Sequence, residues 1–353
     1  MYVSIMNHFP NIKSLATVVP PYVLEQSQVA LAASQHFSGS FGDFSRLASV
    51  FANAGISKRY SCVPLSWYGQ PHSFREKNEK YVDNSIELLA VATQSAIEQA
   101  HLGIKDIDGI VVVSSTGIAT PSLDALLIDR LNLRRDIARL PIFGLGCVGG
   151  VIGLSRTAAL ALAEPHKNYL FLVVELCGLT FRNTDFNKSN VVATALFGDG
   201  AAAAVVGCGT GIYKILGWGE HTWPNSLDVM GWKVRDDGLG VLFSQDIPNL
   251  VRSNMQSVAT AYLDDQGLSF SDIDTFICHP GGPKVLSALE DIFGLPIGGL
   301  GLSRDVLNQH GNMSAATVLF VLDAVKQLDR KGIHLMSALG PGFTCGFLTL
   351  KAS

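Results

Sequence analysis

The feature that most restricts how this chain can fold is an internal repeat. The segment IEQAHLGIKDIDGIVVVSSTG is matched 166 residues later by AYLDDQGLSFSDIDTFICHPGG, with Asp272 over Asp106. At about the same offset GLGCVGGVIGLSRTAALAL lies over QHGNMSAATVLFVLDAV, each a glycine turn opening a long apolar helix. NYLFLVVELCG then has a counterpart in IHLMSALGPG, and AAAAVVG has one in CGFLTLK. Four elements recurring in one order imply a duplicated α/β unit. The repeat itself covers about 81–207 and 258–353, and divides the chain into an N-terminal half, 1–207, and a C-terminal half, 208–353.

Two related halves packed about a pseudo-dyad set equivalent elements opposite each other. Cys147 and Asn312 then start facing helices near the centre of the molecule. His279 ends the second-half strand whose first-half twin ends near Ser114 and Ser115. A cysteine, a histidine and an asparagine from three distant places converge by symmetry alone.

Their chemistry is compatible. A cysteine attacks acyl groups as the thiolate, and a helix N-terminus lowers its pKa through backbone N–H groups and the dipole. An imidazolium at His279 is expected to lower it further, into the range of roughly 3.5 to 7.5 of activated thiols. His279, in ICHPGGPK, leaves an apolar strand for a Pro-Gly-Gly turn, where functional side chains commonly sit. Asn312 reads alone as a helix N-cap. Opposite Cys147 it also completes, with His279, a donor pair for an enolate or oxyanion. His310 reads as local turn chemistry, and Asp199 in the Phe-Gly-Asp-Gly turn as part of a strand connector.

One other motif competes for the same residues. Gly144, Gly146 and Gly149 satisfy GxGxxG, and Glu175 ends the next strand, as in a dinucleotide site. That fingerprint usually opens its domain, whereas here a helix and a strand precede it. It also leaves HPGGPK and GNMS unexplained.

Composition narrows the setting. With 48% hydrophobic and 16% charged residues, the 353-residue chain can bury a large core, and a formal net charge of -4 offers no basic face for nucleic acid or an anionic membrane. Six cysteines lack CxxC spacing, which points to free thiols in a reducing, cytoplasmic setting. No zinc or calcium pattern is present, so no metal is expected. The N-terminus lacks a signal pattern, and no apolar run is expected to reach the roughly 18 residues of a spanning helix.

At these motifs the chain resembles the type III polyketide synthases, the chalcone synthase-like branch of the thiolase superfamily. LGCVGGVIGLSR is similar to the nucleophile segment, ALFGDGAAA to the following strand-turn and HPGGPK to the histidine loop. SRDVLNQHGNMSAATVLFVLD is similar to the asparagine segment, and GPGFT, with Gly340, Pro341 and Gly342, to the cyclisation loop. The resemblance implies a thiolase-like duplicated five-layered αβαβα fold with pseudo-two-fold symmetry. It implies an acyltransferase that loads an acyl-CoA starter on Cys147 and decarboxylates malonyl-CoA beside His279 and Asn312. CoA thioesters are then substrates, and no separate cofactor is expected.

Phe197 matches the first gatekeeper phenylalanine. The second position falls at Val241, with Phe243 as the alternative register. Ser115, Thr116, Cys177, Thr180 and Ser314 are expected in the cavity wall, small side chains that leave room. Of the family's basic positions for CoA, one falls on Arg46 while two fall on Ser49 and Asn53. Lys58, Arg59 and Lys284 are possible replacements, each also readable as a solvated surface charge, and Arg46, Lys284, Gly281 and Gly282 are the expected CoA contacts. A homodimer is implied, with Thr120 near the partner's cavity. WYGQPHSFREKN and ELCGLTF resemble members that take long fatty acyl starters and make alkylpyrones or alkylresorcinols. Within the family the alternative is a short or aromatic starter giving a compact pyrone or chalcone-like product, and outside it a ketoacyl synthase III-type enzyme or a non-catalytic acyl-binding relic.

Overall fold

The N-terminal half runs β1 (Pro10–Val18), β2 (Tyr22–Glu25), α1 (Gln26–Phe37), α2 (Ser45–Ala52), β3 (Lys58–Ser61), α3 (Phe74–Gln99), β4 (Gly109–Val113), α4 (Leu123–Arg130), β5 (Ala138–Ile142), α5 (Gly149–Ala163), β6 (Asn168–Leu176), α6 (Lys188–Leu196) and β7 (Asp199–Cys208). The rest follows as β8 (Tyr213–Thr222), β9 (Met230–Arg235), β10 (Gly238–Phe243), α7 (Ile247–Asp264), β11 (Thr275–Cys278), α8 (Pro283–Ile292), α9 (Gly301–His310), α10 (Thr317–Gln327), β12 (Ile333–Gly340) and β13 (Thr344–Ala352). This computed structural model describes residues 9–37, 45–244 and 246–352, with the backbone alone over 45–48.

Nine strands form one sheet in the order β11-β12-β13-β8-β1-β7-β6-β4-β5. Outward from the β1–β8 seam, β7, β6 and β4 on one side mirror β13, β12 and β11 on the other, as two antiparallel pairings and then a parallel one. The repeat appears even in the turns entering β4 and β11. Asp106 accepts from Gly103 N at 2.7 Å, and Asp272, 166 residues on, accepts from Ser269 N at 2.8 Å.

The strands are apolar on both faces and therefore require cover on both sides. Along β6, Tyr169, Phe171 and Val173 enter the central core, while Leu170, Leu172 and Val174 enter the cluster under α3 and α4. Along β12, Met336 and Ala338 face the centre, while Leu335 and Leu339 face the cluster under α7 and α8. Helices α5 and α10 fill the space between the two sheet halves. The layers are accordingly α, β, α, β, α.

The central helices touch at the backbone. A Cβ on Gly150 would lie 2.3 Å from the Ala315 carbonyl oxygen, so only glycine allows this crossing. Contrary to expectation, the 18-residue stretch Gly146–Ala163 is long and apolar enough to cross a membrane. Two-thirds of it is buried in this core, which accounts for its apolar composition.

Gly150→Ala should cost about 1–3 kcal/mol, because the group it meets is backbone that cannot rotate away. Chemical denaturation of the purified variant checks this, and an unchanged midpoint would contradict the crossing.

Candidate active site

Cys147 sits in a single helical turn, Gly146–Val148, that runs directly into α5. The preceding chain reverses at Gly144 and Gly146, with φ of 92° and 51°, and both backbone N–H groups donate to Ser115 Oγ, at 3.3 and 3.1 Å. Ser115, two residues past β4, thus anchors the turn that carries Cys147. Pro341 packs against Gly146, and Gly340 fits under the Leu145 carbonyl, so the Gly340, Pro341, Gly342 loop backs the same turn.

His279 follows β11, its backbone N–H donating to Ser337 O at 2.8 Å. Asn312 follows α9 after Gly311, whose φ of 70° reverses the chain. Its Oδ1 accepts from Ser314 N at 2.8 Å, and its Nδ2 donates to Gly281 O at 3.4 Å. Cys147, His279 and Asn312 line one pocket of about 30 Å³, together with Gly281, Phe243 and Met230.

All six cysteines are free; Cys147 is half-buried and the other five are buried. Burial still dominates the electrostatics. It pushes the Cys147 thiol up to about 12, against the hydrogen bonds from Ser314 and Asn312, and pushes His279 down to about 3. No standing imidazolium activates the thiol, in contrast to the sequence expectation. Cys147 and His279 therefore both rest uncharged, as thiol and imidazole. Among the described residues neither buried ring nitrogen of His279 has a hydrogen-bond partner, although a buried imidazole normally has one. They are available to a bound substrate.

Glu175, at the end of β6, is fully buried and accepts from Ser115 N at 3.0 Å. Desolvation raises it to about 7, against the hydrogen bonds from Ser115, Thr116, Ser314 and Ala315. It stands behind the cysteine, where no ribose can reach it, and this removes the dinucleotide reading.

The remaining expected residues divide into groups. Cys177 and Thr180 line a second, much larger cavity of about 630 Å³. Phe197 lines it too, and is 6.3 Å from Phe243 and 6.2 Å from Trp232 between ring centroids. Phe197 therefore stands between the two spaces. Ser115, Thr116 and Ser314 are buried in hydrogen bonds around the nucleophile turn and Glu175. Beside Cys147 itself, Phe243 and Met230 line the small pocket, and Trp232 bonds to the Ser115 carbonyl.

Of the two second-gatekeeper candidates, Phe243 lines the pocket shared by Cys147, His279 and Asn312, and Val241 sits opposite Trp232 on the β9–β10 ribbon. Gly281 and Gly282 turn the chain from His279 into α8, and Lys284 is exposed on a surface groove with Arg252. Thr120 is exposed, and the Arg46 side chain lies outside the described residues. Sequence reasoning missed Trp232, whose Nε1 donates to Ser115 O at 2.8 Å. The ribbon lies outside the repeat, and the alternation in MGWKVR was its only signal.

Residues 65–210 match the N-terminal domain of chalcone and stilbene synthases, and residues 219–352 match the C-terminal domain. Among relatives, 1,3,6,8-tetrahydroxynaphthalene synthase of Streptomyces peucetius subsp. caesius is 35% identical over 357 residues, covering 99% of this chain and 94% of the relative. The alpha-pyrone synthesis polyketide synthase-like Pks18 of Mycobacterium tuberculosis is 27% identical over 350 residues, covering 94% and 88%. The crystal structure of 1,3,6,8-tetrahydroxynaphthalene synthase from Streptomyces coelicolor A3(2), a bacterial type III polyketide synthase, superposes with a TM-score of 0.93 at 25% identity, covering 97% and 99%.

With both groups neutral at rest, alkylation of Cys147 by iodoacetamide should rise about tenfold per pH unit between pH 6 and 9. A flat profile across that range would show a standing thiolate–imidazolium pair instead.

Proposed function

The chain belongs to the chalcone and stilbene synthases and is a type III polyketide synthase, and from that premise we propose that it extends a long fatty acyl-CoA starter with malonyl-CoA and closes the product to an alkylpyrone or alkylresorcinol. The Cys147 thiolate attacks the starter thioester carbonyl as His279 takes the thiol proton. The departing CoA sulfur takes that proton back. Malonyl-CoA then loses CO₂, and its enolate oxygen is held by N–H groups of His279 and Asn312. The enolate carbon attacks the acyl-Cys147 thioester and expels the cysteine thiolate, leaving a chain two carbons longer on CoA.

The buried, unpartnered nitrogens of His279 beside Cys147 support the condensing step. The observation that carries the substrate class is the cavity of about 630 Å³ beyond Phe197, walled by Leu24, Val29, Phe37, Phe181 and the small Cys177. A catalytic pocket of about 30 Å³ holds no acyl chain by itself, so the chain must go elsewhere. Each buried methylene contributes about 0.8 kcal/mol, and six more carbons up to roughly 5 kcal/mol before ordering costs.

For CoA, Ile247 and Gly281 of the pocket adjoin Pro248, Pro283 and Lys284 of the outer groove, which Arg252 also lines. Lys284 is our candidate for the CoA phosphates there, and an increased KM for acyl-CoA in Lys284→Ala is the corresponding result.

A homodimer forms part of the same proposal. Ile118, Leu140 and Phe143 are exposed near Thr120 and the edge strand β5, with Phe143 62% accessible. Light scattering at micromolar concentration should give twice the chain mass, and a stable monomer would contradict this.

Cys177→Phe should place a ring in the cavity and selectively abolish turnover of hexadecanoyl-CoA while hexanoyl-CoA turnover survives. Product masses from an acyl-CoA series check both this and the substrate class. Retained long-chain turnover in the variant would show that the acyl chain lies elsewhere, and no turnover by the wild type would favour a non-catalytic relic.

A further inference from the structure

Arg59 on β3 is a buried cation, 3% exposed, and a charge in such surroundings must be matched by hydrogen bonds. Its partners lie at one end of one helix. Nη1 donates to Thr194 O at 2.7 Å and Phe197 O at 2.9 Å, and Nη2 donates to Ala195 O at 3.0 Å. These carbonyls end α6 and have no partner within the helix, and the negative end of its dipole favours a cation. Gln26 completes the clamp. Its Oε1 accepts from Arg59 Nη2, and its Nε2 donates to Ala195 O at 3.1 Å.

The other side of Phe197 is fixed by the catalytic asparagine. Asn312 N donates to Leu196 O at 2.8 Å, and Gly198 N donates to Asn312 O at 3.0 Å. One residue further, Asp199 accepts from Gly178 N at 2.7 Å and Cys62 N at 2.9 Å, holding the turn that carries Cys177. Phe197 is thus the partition between pocket and cavity, with its backbone pinned by Arg59 on one side and Asn312 on the other.

We infer that Arg59 is a positioning residue that sets starter-chain selectivity by holding Phe197 in place through the carbonyls at the end of α6. This rests on the proposed reading of the cavity as the acyl site. Arg59 acts through Phe197 without touching the reacting atoms. Lysine in its place supplies a point charge but not the planar fork that reaches several carbonyls at once.

The test is a double-mutant cycle on starter selectivity, measured as kcat/KM across an acyl-CoA series from acetyl to hexadecanoyl. Arg59→Lys should compress the wild-type preference toward uniformity by about tenfold, the scale of a pocket-wall change. In a Phe197→Ala background the same substitution should change little, because the group it positions is gone. An unaltered profile in Arg59→Lys, or an undiminished effect without Phe197, would overturn the inference. If Arg59→Lys fails to fold by circular dichroism, Gln26→Leu loosens the same guanidinium from the far side. It should produce a smaller compression that also vanishes with Phe197→Ala, and an unaltered profile overturns the inference equally. A wild-type optimum at short starters would refute the long-chain reading by itself, while compression relative to that optimum still decides the role of Arg59.

Discussion

The backbone contact between Gly150 on α5 and the Ala315 carbonyl is the constraint on which the rest depends. It lets the central helices of the two halves approach closely enough that the turns at their N-terminal ends face each other. One turn carries Cys147 and the other carries Asn312 and Ser314. Both sheet halves then pack on this helix pair, and β11 delivers His279 to the same point from the second half. Interiors this dense transmit small displacements, so the catalytic geometry and the core packing form one structure.

That packing also determines the charge state of the site. A pocket of about 30 Å³ walled by Phe243, Met230 and Leu339 disfavours either charge alone, which is why Cys147 is pushed up and His279 down. Proton transfer within the pair creates no net charge, so it is the transfer this environment opposes least. The same dryness suits an enolate, which water would quench by protonation.

Much of this is legible in the internal repeat. It aligned β4 with β11, β6 with β12 and β7 with β13, and it brought Cys147, His279 and Asn312 together by symmetry. It missed the pairing of β1 with β8, because β1 lies in the N-terminal region where the two halves have diverged. The β9–β10 ribbon belongs to one half only, so no internal comparison pointed to Trp232 or Phe243. The charge states were misjudged for a physical reason. Burial of His279 depends on what surrounds it in space, and ICHPGGPK carries no trace of that.

Of the six thiols, Cys147 is the one expected to carry the growing chain. Peptide mass mapping after exposure to hexadecanoyl-CoA measures this directly. One acyl group on the peptide containing Cys147, discharged when malonyl-CoA is added, is the expected result. An acyl group on Cys177, or one on Cys147 that malonyl-CoA cannot discharge, would contradict it.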